Sequence, residues 1–223
     1  MSTTFPPSRP LGRTLQGLGL LAALAVAAFA PASVQAQAAN GYELVQPPQN
    51  TSSAEQVEVL EFFWLGCPHC YAFEPTIEAW AENRGDNVAF VREAPPLNSS
   101  WEQHSRGFYA AQLLGQEGPF VEAMFKSIHE EKKRMVDPKD IAALAAGLGM
   151  DEEKFLATMN SFAVETRMKR SMQLARGAGI TGVPAIMING KYRTGAQLAG
   201  GNAGIIDVIE QTVALEKTSM GLE

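Results

Sequence analysis

The chain contains two cysteines, and they stand three positions apart in Cys67-Pro68-His69-Cys70. The motif directly follows the apolar run Val57-Glu58-Val59-Leu60-Glu61-Phe62-Phe63-Trp64-Leu65. A strand running into Cys-x-x-Cys, with the second cysteine carried into a helix, is the local layout of a thiol–disulfide redox site. Cys67 falls at the helix start, where unpaired N–H groups and the helix dipole favour a thiolate, and it is expected to be the exposed, attacking sulfur. Cys70 lies one turn further in and is expected to be buried. Pro68 suits the first turn, where no amide hydrogen is needed. His69, between the two sulfurs, is placed to give the Cys67 thiolate a hydrogen bond or a positive charge.

Three duller readings compete for the pair. A passive bridge closing so short a loop would remove little unfolded-state entropy. A zinc clip wants four ligands, with only His69, His104 and His129 to complete the set. Haem attachment needs Cys-x-x-Cys-His, and residue 71 is tyrosine. His104 and His129 fall on expected helices and read as ordinary surface or packing residues.

The first stretch is set aside before folding is considered. Arg9 and Arg13 give a positive start without acids, residues 15–30 are apolar, and Val34-Gln35-Ala36 and Ala36-Gln37-Ala38 resemble cleavage sites. Residues 1–36 therefore read as a secretory signal peptide, with an uncleaved membrane anchor as the alternative. Its removal lowers Lys+Arg from 18 to 16 and leaves Asp+Glu at 24, so the mature net charge is −8. That balance argues against a nucleic-acid partner. Export also places the thiols where they tend to oxidise.

Elements that must hold the motif follow from periodicity. Residues 39–56 read as a polar, extended lead-in. Residues 57–65 carry apolar side chains on both alternating faces, as a central strand covered on two sides does. Residues 68–83 suit a helix through Phe73, Ile77 and Trp80, kinked at Pro75. Residues 87–94 form a second strand. The period then changes: Ser100-Trp101-Glu102-Gln103 has capping-box spacing and opens a helix to about Leu114. Pro119 opens another, with Phe120, Met124 and Ile128 on one side. Asp137-Pro138 begins a third that Gly149 ends, Asp151 caps a fourth, and residues 161–176 form a fifth. Strand signals return in Val183-Pro184-Ala185-Ile186-Met187-Ile188, and Asn189-Gly190 turns a hairpin into Lys191-Tyr192-Arg193. Asn202 begins a last helix through Ile205, Ile209 and Val213. This order gives an α/β fold: a mixed central sheet with flanking helices, interrupted by a helical block.

The run Glu61-Phe62-Phe63 with Cys67-Pro68-His69-Cys70-Tyr71 and Phe73, a helical insert, and then Gly182-Val183-Pro184 resembles the DsbA family over nearly the whole mature chain. Residues 93–100, with Pro95-Pro96, are the stretch without a clear match, expected to alter a surface loop. The resemblance implies a thioredoxin fold split into residues 37–98 and 179–223 around a helical insert at 99–178. It implies a periplasmic thiol:disulfide oxidoreductase that donates a Cys67–Cys70 disulfide to unfolded or newly translocated cysteine-containing proteins. Such an enzyme needs no bound cofactor and no metal, and an inner-membrane partner of the DsbB type reoxidises it. A monomer is expected.

The resemblance also assigns roles beyond the cysteines. Pro184 matches the family's cis-proline facing the disulfide, leaving the Val183 backbone free to pair with an extended substrate; the alternative is a trans proline beginning a strand. Glu61 matches a buried acid beneath the active site, whose raised pKa would let it exchange protons with Cys70; the alternative is a solvent-facing acid at a strand end. Trp64 and Leu65 form an apolar rim around Cys67 or simply pack in the core. Two other functions remain open: an isomerase or reductase on the same scaffold, where Thr rather than Val183 would precede the proline, and a secreted peptide-binding module keeping the bridge as a brace.

Overall fold

Six consecutive residues without an exposed side chain need cover on two faces, and Val57–Phe62 has it. The computed structural model describes residues 40–222; the leader read at residues 1–36 lies outside them. In chain order the described strands are β1 (Glu43–Leu44), β2 (Val57–Phe62), β3 (Val88–Glu93), β4 (Ala185–Ile188) and β5 (Tyr192–Thr194). The α-helices are α1 (Pro68–Asn83), α2 (Glu102–Leu113), α3 (Glu117–Phe125), α4 (Pro138–Gly147), α5 (Glu152–Met159), α6 (Phe162–Gly177), α7 (Ala196–Ala199) and α8 (Asn202–Met220).

The sheet order is β1-β5-β4-β2-β3. β2 and β3 are parallel, joined by the crossover helix α1, and the remaining neighbours are antiparallel. Alternation along β2 divides the core. Val57 and Val59 face Phe73, Ile77 and Trp80 of α1 and Ile205, Ile209 and Val213 of α8. Leu60 and Phe62 point the other way, with Met187, against Ala175 near the end of α6. A third cluster lies within the helical block between β3 and β4, where Phe108, Phe120, Met124, Ile141 and Phe155 are fully covered. Each such side chain contributes about 1.5–3 kcal/mol by leaving water. Phe63, Leu65, Cys67 and Cys70 belong to that third cluster, so the block packs directly onto the cysteine motif.

Local signals set most boundaries. The Asp137 carboxylate caps α4 at Lys139 N (2.9 Å) and Asp151 caps α5 at Lys154 N (2.7 Å). Asn189 and Gly190 both have positive φ, 47° and 67°, as a two-residue hairpin turn demands. Three details differ from the sequence reading. Ser100 does not cap α2: the Asn98 side chain accepts from Ser100 N and starts a short 3₁₀ turn, Ser99–Trp101, that runs into the helix. α3 opens at Glu117 rather than Pro119. The lead-in is not merely extended: Glu43 and Leu44 pair with Arg193 and Tyr192 as the edge strand β1. Residues 93–100 are no free surface loop either, because Ala94 N donates to the Tyr109 hydroxyl (3.0 Å), which donates in turn to Glu93 Oε2 (2.6 Å).

Candidate active site

β2 ends at Phe62, and a tight turn closed by Cys67 N donating to Trp64 O (2.9 Å) swings the chain into α1. Cys67 is the N-cap residue of that helix: its sulfur accepts from Cys70 N at 3.4 Å, and Pro68 holds the first helical position. Both thiols are free. Cys70 is 1% exposed, as its place one turn in requires, but Cys67 is only 7% exposed, not the open sulfur expected. The cover comes from the loop before β4. The Val183–Pro184 peptide is cis, and the Cys67 thiol donates to Val183 O at 3.5 Å.

The two sulfurs differ sharply in acidity. At Cys67 the hydrogen bond from the Cys70 thiol outweighs burial, and the N–H groups of Cys70 and His69 and the charge of His69 act in the same direction, bringing the thiol down to about 6. At Cys70 burial, then the hydrogen bond and charge of Cys67, push the thiol far up; the Glu61 charge acts in the same sense. His69 and Pro68 are exposed beside the sulfurs.

Beneath the pair lies a buried charge cluster. Glu61 is 1% exposed. It shares the α1-facing side of β2 with Val57 and Val59, and burial pushes its carboxyl above the usual range against the pull of Arg92. Arg92 is its register partner on β3 and donates Nε to Glu61 Oε2 at 3.0 Å. The same guanidinium reaches Glu74 (3.0 Å) and Glu78 (2.7 Å) from α1. Burial opposes a charged guanidinium, but the carboxylates of Glu61, Glu74 and Glu78 outweigh it and raise Arg92 further. One cation shared among three acids does not hold them all ionised: burial lifts Glu74 to about 7 despite its ion pair.

Pro184 and Val183 line a cavity of about 650 Å³ that also takes in His69, Ala72, Ile180 and Leu198. Neither Trp64 nor Leu65 lines this cavity; both pack with Cys67 in the helical block's cluster. Leu65 is 1% exposed inside the helical block's core. The Trp64 ring stacks on Trp101 (centroids 4.5 Å, 5° between planes), because the insert closes over this side of the turn. The residues brought together are therefore Cys67, Cys70, Pro68, His69, Val183, Pro184 and, underneath, Glu61.

Sequence reasoning missed Arg92, Glu74, Glu78 and His129. Arg92 left a signal, since it interrupts the apolar β3 as Glu61 interrupts β2. His129 left none: its Nε2 lies 2.8 Å from Leu65 O, and its ring stacks on Tyr71 at 4.8 Å. His104, by contrast, is buried packing, and burial lowers its pKa. Among the described residues no group of His, Cys, Asp and Glu is arranged to hold a metal ion, and no helix is long and apolar enough to cross a membrane.

Comparison with known proteins gives concordant matches. The model of the DSBA-like thioredoxin domain matches residues 93–203. The thiol:disulfide interchange protein DsbA of Pseudomonas aeruginosa is 37% identical, the match covering 92% of this chain and 99% of the relative. The protein of the same name from Burkholderia cepacia is 39% identical over 93% of this chain and 98% of its own length. Among solved structures, P. aeruginosa DsbA superposes with a TM-score of 0.77 at 38% identity, covering 80% of this chain and 93% of that one. The oxidoreductase DsbA from Xylella fastidiosa superposes at 0.76 with 26% identity, over 80% and 96% of the two chains.

Proposed function

The chain belongs to the DsbA family of thiol:disulfide interchange proteins, and from that premise we propose that it is a periplasmic dithiol oxidase that passes a Cys67–Cys70 disulfide to newly exported proteins. The observation that carries this reading is the inequality of the two sulfurs. Cys67 Sγ caps a helix beside Val183 O with its thiol lowered to about 6, whereas Cys70 is shut away with its thiol raised.

In the oxidised enzyme a substrate thiolate attacks Cys67 Sγ. The Cys67–Cys70 bond breaks, a substrate–Cys67 disulfide forms, and Cys70 leaves as a thiolate that takes up a proton. A second substrate thiolate then attacks the substrate sulfur of the mixed disulfide and expels the Cys67 thiolate. Two electrons have moved from substrate to enzyme. The last step is favoured because Cys67 is a stabilised leaving group. Buried Glu61, protonated more readily than an ordinary carboxylate, supplies the proton that Cys70 needs. An extended substrate lies in the cavity beside Val183 and Pro184, reading main chain more than side chains. An inner-membrane partner of the DsbB type restores the disulfide, the protein works as a monomer, and residues 1–36 are its export signal.

Equilibration with glutathione buffers tests the proposal. The expected result is that reduced enzyme predominates even when oxidised glutathione is in large excess. A couple as hard to reduce as a structural crosslink would overturn it. His69→Ser should raise the Cys67 pKa and make the couple less oxidising, read by thiolate absorbance against pH; an unchanged titration would remove His69 from the account.

A further inference from the structure

One side chain of the helical block touches both flanks of the cysteine motif. α3 does not end at Phe125 but continues into a π turn, Lys126–Glu130, closed by Glu131 N donating to Lys126 O at 3.1 Å. Such a turn takes one extra residue and rotates the succeeding side chains relative to a continued α-helix. The residue it presents is His129. A carbonyl only accepts, so the 2.8 Å contact with Leu65 O places the proton on His129 Nε2. On its other side the imidazole stacks on Tyr71, 9° from parallel at 4.8 Å, and the Tyr71 hydroxyl donates to Glu130 Oε1 at 2.8 Å. Leu65 lies two residues before Cys67 and Tyr71 one residue after Cys70.

Leu65 O belongs to the central peptide of the Trp64–Cys67 turn, which Cys67 N closes on Trp64 O. Gly66, the other central residue, is covered by the Trp64 ring so closely that a Cβ there would collide with it. The orientation of this peptide decides where Cys67 enters the helix, and with it how the Cys67 sulfur meets the N–H of Cys70. We propose that His129 is a positioning residue for Cys67: by fixing the Leu65–Gly66 peptide it holds the sulfur at the helix N-terminus and thereby sets how oxidising the couple is. The inference rests on the dithiol-oxidase reading above. It makes the insert part of the redox device rather than a lid.

The test compares His129→Phe, which keeps a stacking ring and loses the donor, with His129→Gln, which keeps a donor. Two quantities are read: thiolate absorbance of Cys67 against pH, and the equilibrium constant with glutathione. For H129F the expected result is a higher Cys67 pKa and a roughly fivefold shift toward a less oxidising couple, the scale of one lost hydrogen bond. H129Q should recover most of both. A purely structural role would lower the thermal midpoint while leaving titration and equilibrium constant at wild-type values, and that outcome in H129F overturns the proposal, as does an H129Q indistinguishable from H129F. Should H129F not fold, H129A takes its place, with the same shifts expected and the same wild-type values overturning the proposal. Wild-type protein that fails to oxidise thiols overturns the oxidase reading itself; an oxidising wild type with unmoved variants overturns only the role of His129.

Discussion

The buried guanidinium of Arg92 faces Glu61, Glu74 and Glu78 at 3.0, 3.0 and 2.7 Å. Removing one partner of a buried pair strands the other charge, which costs more than removing both. Arg92→Met should therefore destabilise the protein by about 3–5 kcal/mol in urea unfolding, and adding Glu61→Gln to it should recover part of that loss. Additive losses would show that the two groups do not share one cluster. Glu74 gives a pH signature of its own. Its folded pKa, about 7, lies above the ordinary 4.5. The stability it contributes is thus complete below about pH 4.5 and is lost as pH rises through 7. Glu74→Gln should flatten the wild-type decline in thermal midpoint between pH 5 and about 7.5; an unchanged slope assigns that decline to other groups.

Elements were legible in the sequence where a local rule sufficed. β2 declared itself by apolar residues on both faces, α4 and α5 by aspartate caps, and the hairpin by Asn189-Gly190. Those that escaped depend on partners distant in the chain. β1 exists only because β5 offers Glu43 and Leu44 an edge. The π turn carrying His129 forms where α3 meets the cysteine loop, and no short motif marks it. Within the site, Cys67, Cys70 and Pro184 could be read directly, whereas joining Arg92 to Glu61 required the β2–β3 register. The hairpin is a fair test of how much its turn fixes. Gly190 has φ +67°, and a Cβ there would strike the Gln49 carbonyl, whose own N–H donates to Gly190 O at 2.9 Å. Gly190→Ala should cost at least about 1–2 kcal/mol from the left-handed backbone alone, seen as a lower thermal midpoint. A wild-type midpoint would mean that the turn relaxes freely and does not anchor the lead-in.

Redox state and global stability are tied through one titration. In reduced protein the Cys67 thiol is held at about 6, against an ordinary value of 9.0. A depressed folded pKa contributes stability that is complete above the unfolded pKa and disappears as pH falls through the folded one. The disulfide form has no thiol at position 67 and gains nothing from this source. Glu61, Glu74 and Arg92 are present in both forms and largely cancel in the comparison. Cys70 stays protonated in the folded state, so it does not contribute until pH approaches the ordinary thiol range. The reduced protein should therefore lead the oxidised one most clearly as pH approaches the ordinary thiol value of 9.0, and the gap should narrow steadily as pH falls toward 6 and close toward pH 5, by about 1.4 kcal/mol for each unit by which the Cys67 pKa is depressed. Paired urea melts of the two redox forms at successive pH values measure it directly. A gap that stayed constant, or widened on acidification, would separate the acidity of Cys67 from the oxidising character of the couple. The drive to give up the disulfide would then have to come from strain in the oxidised form rather than from comfort of the thiolate.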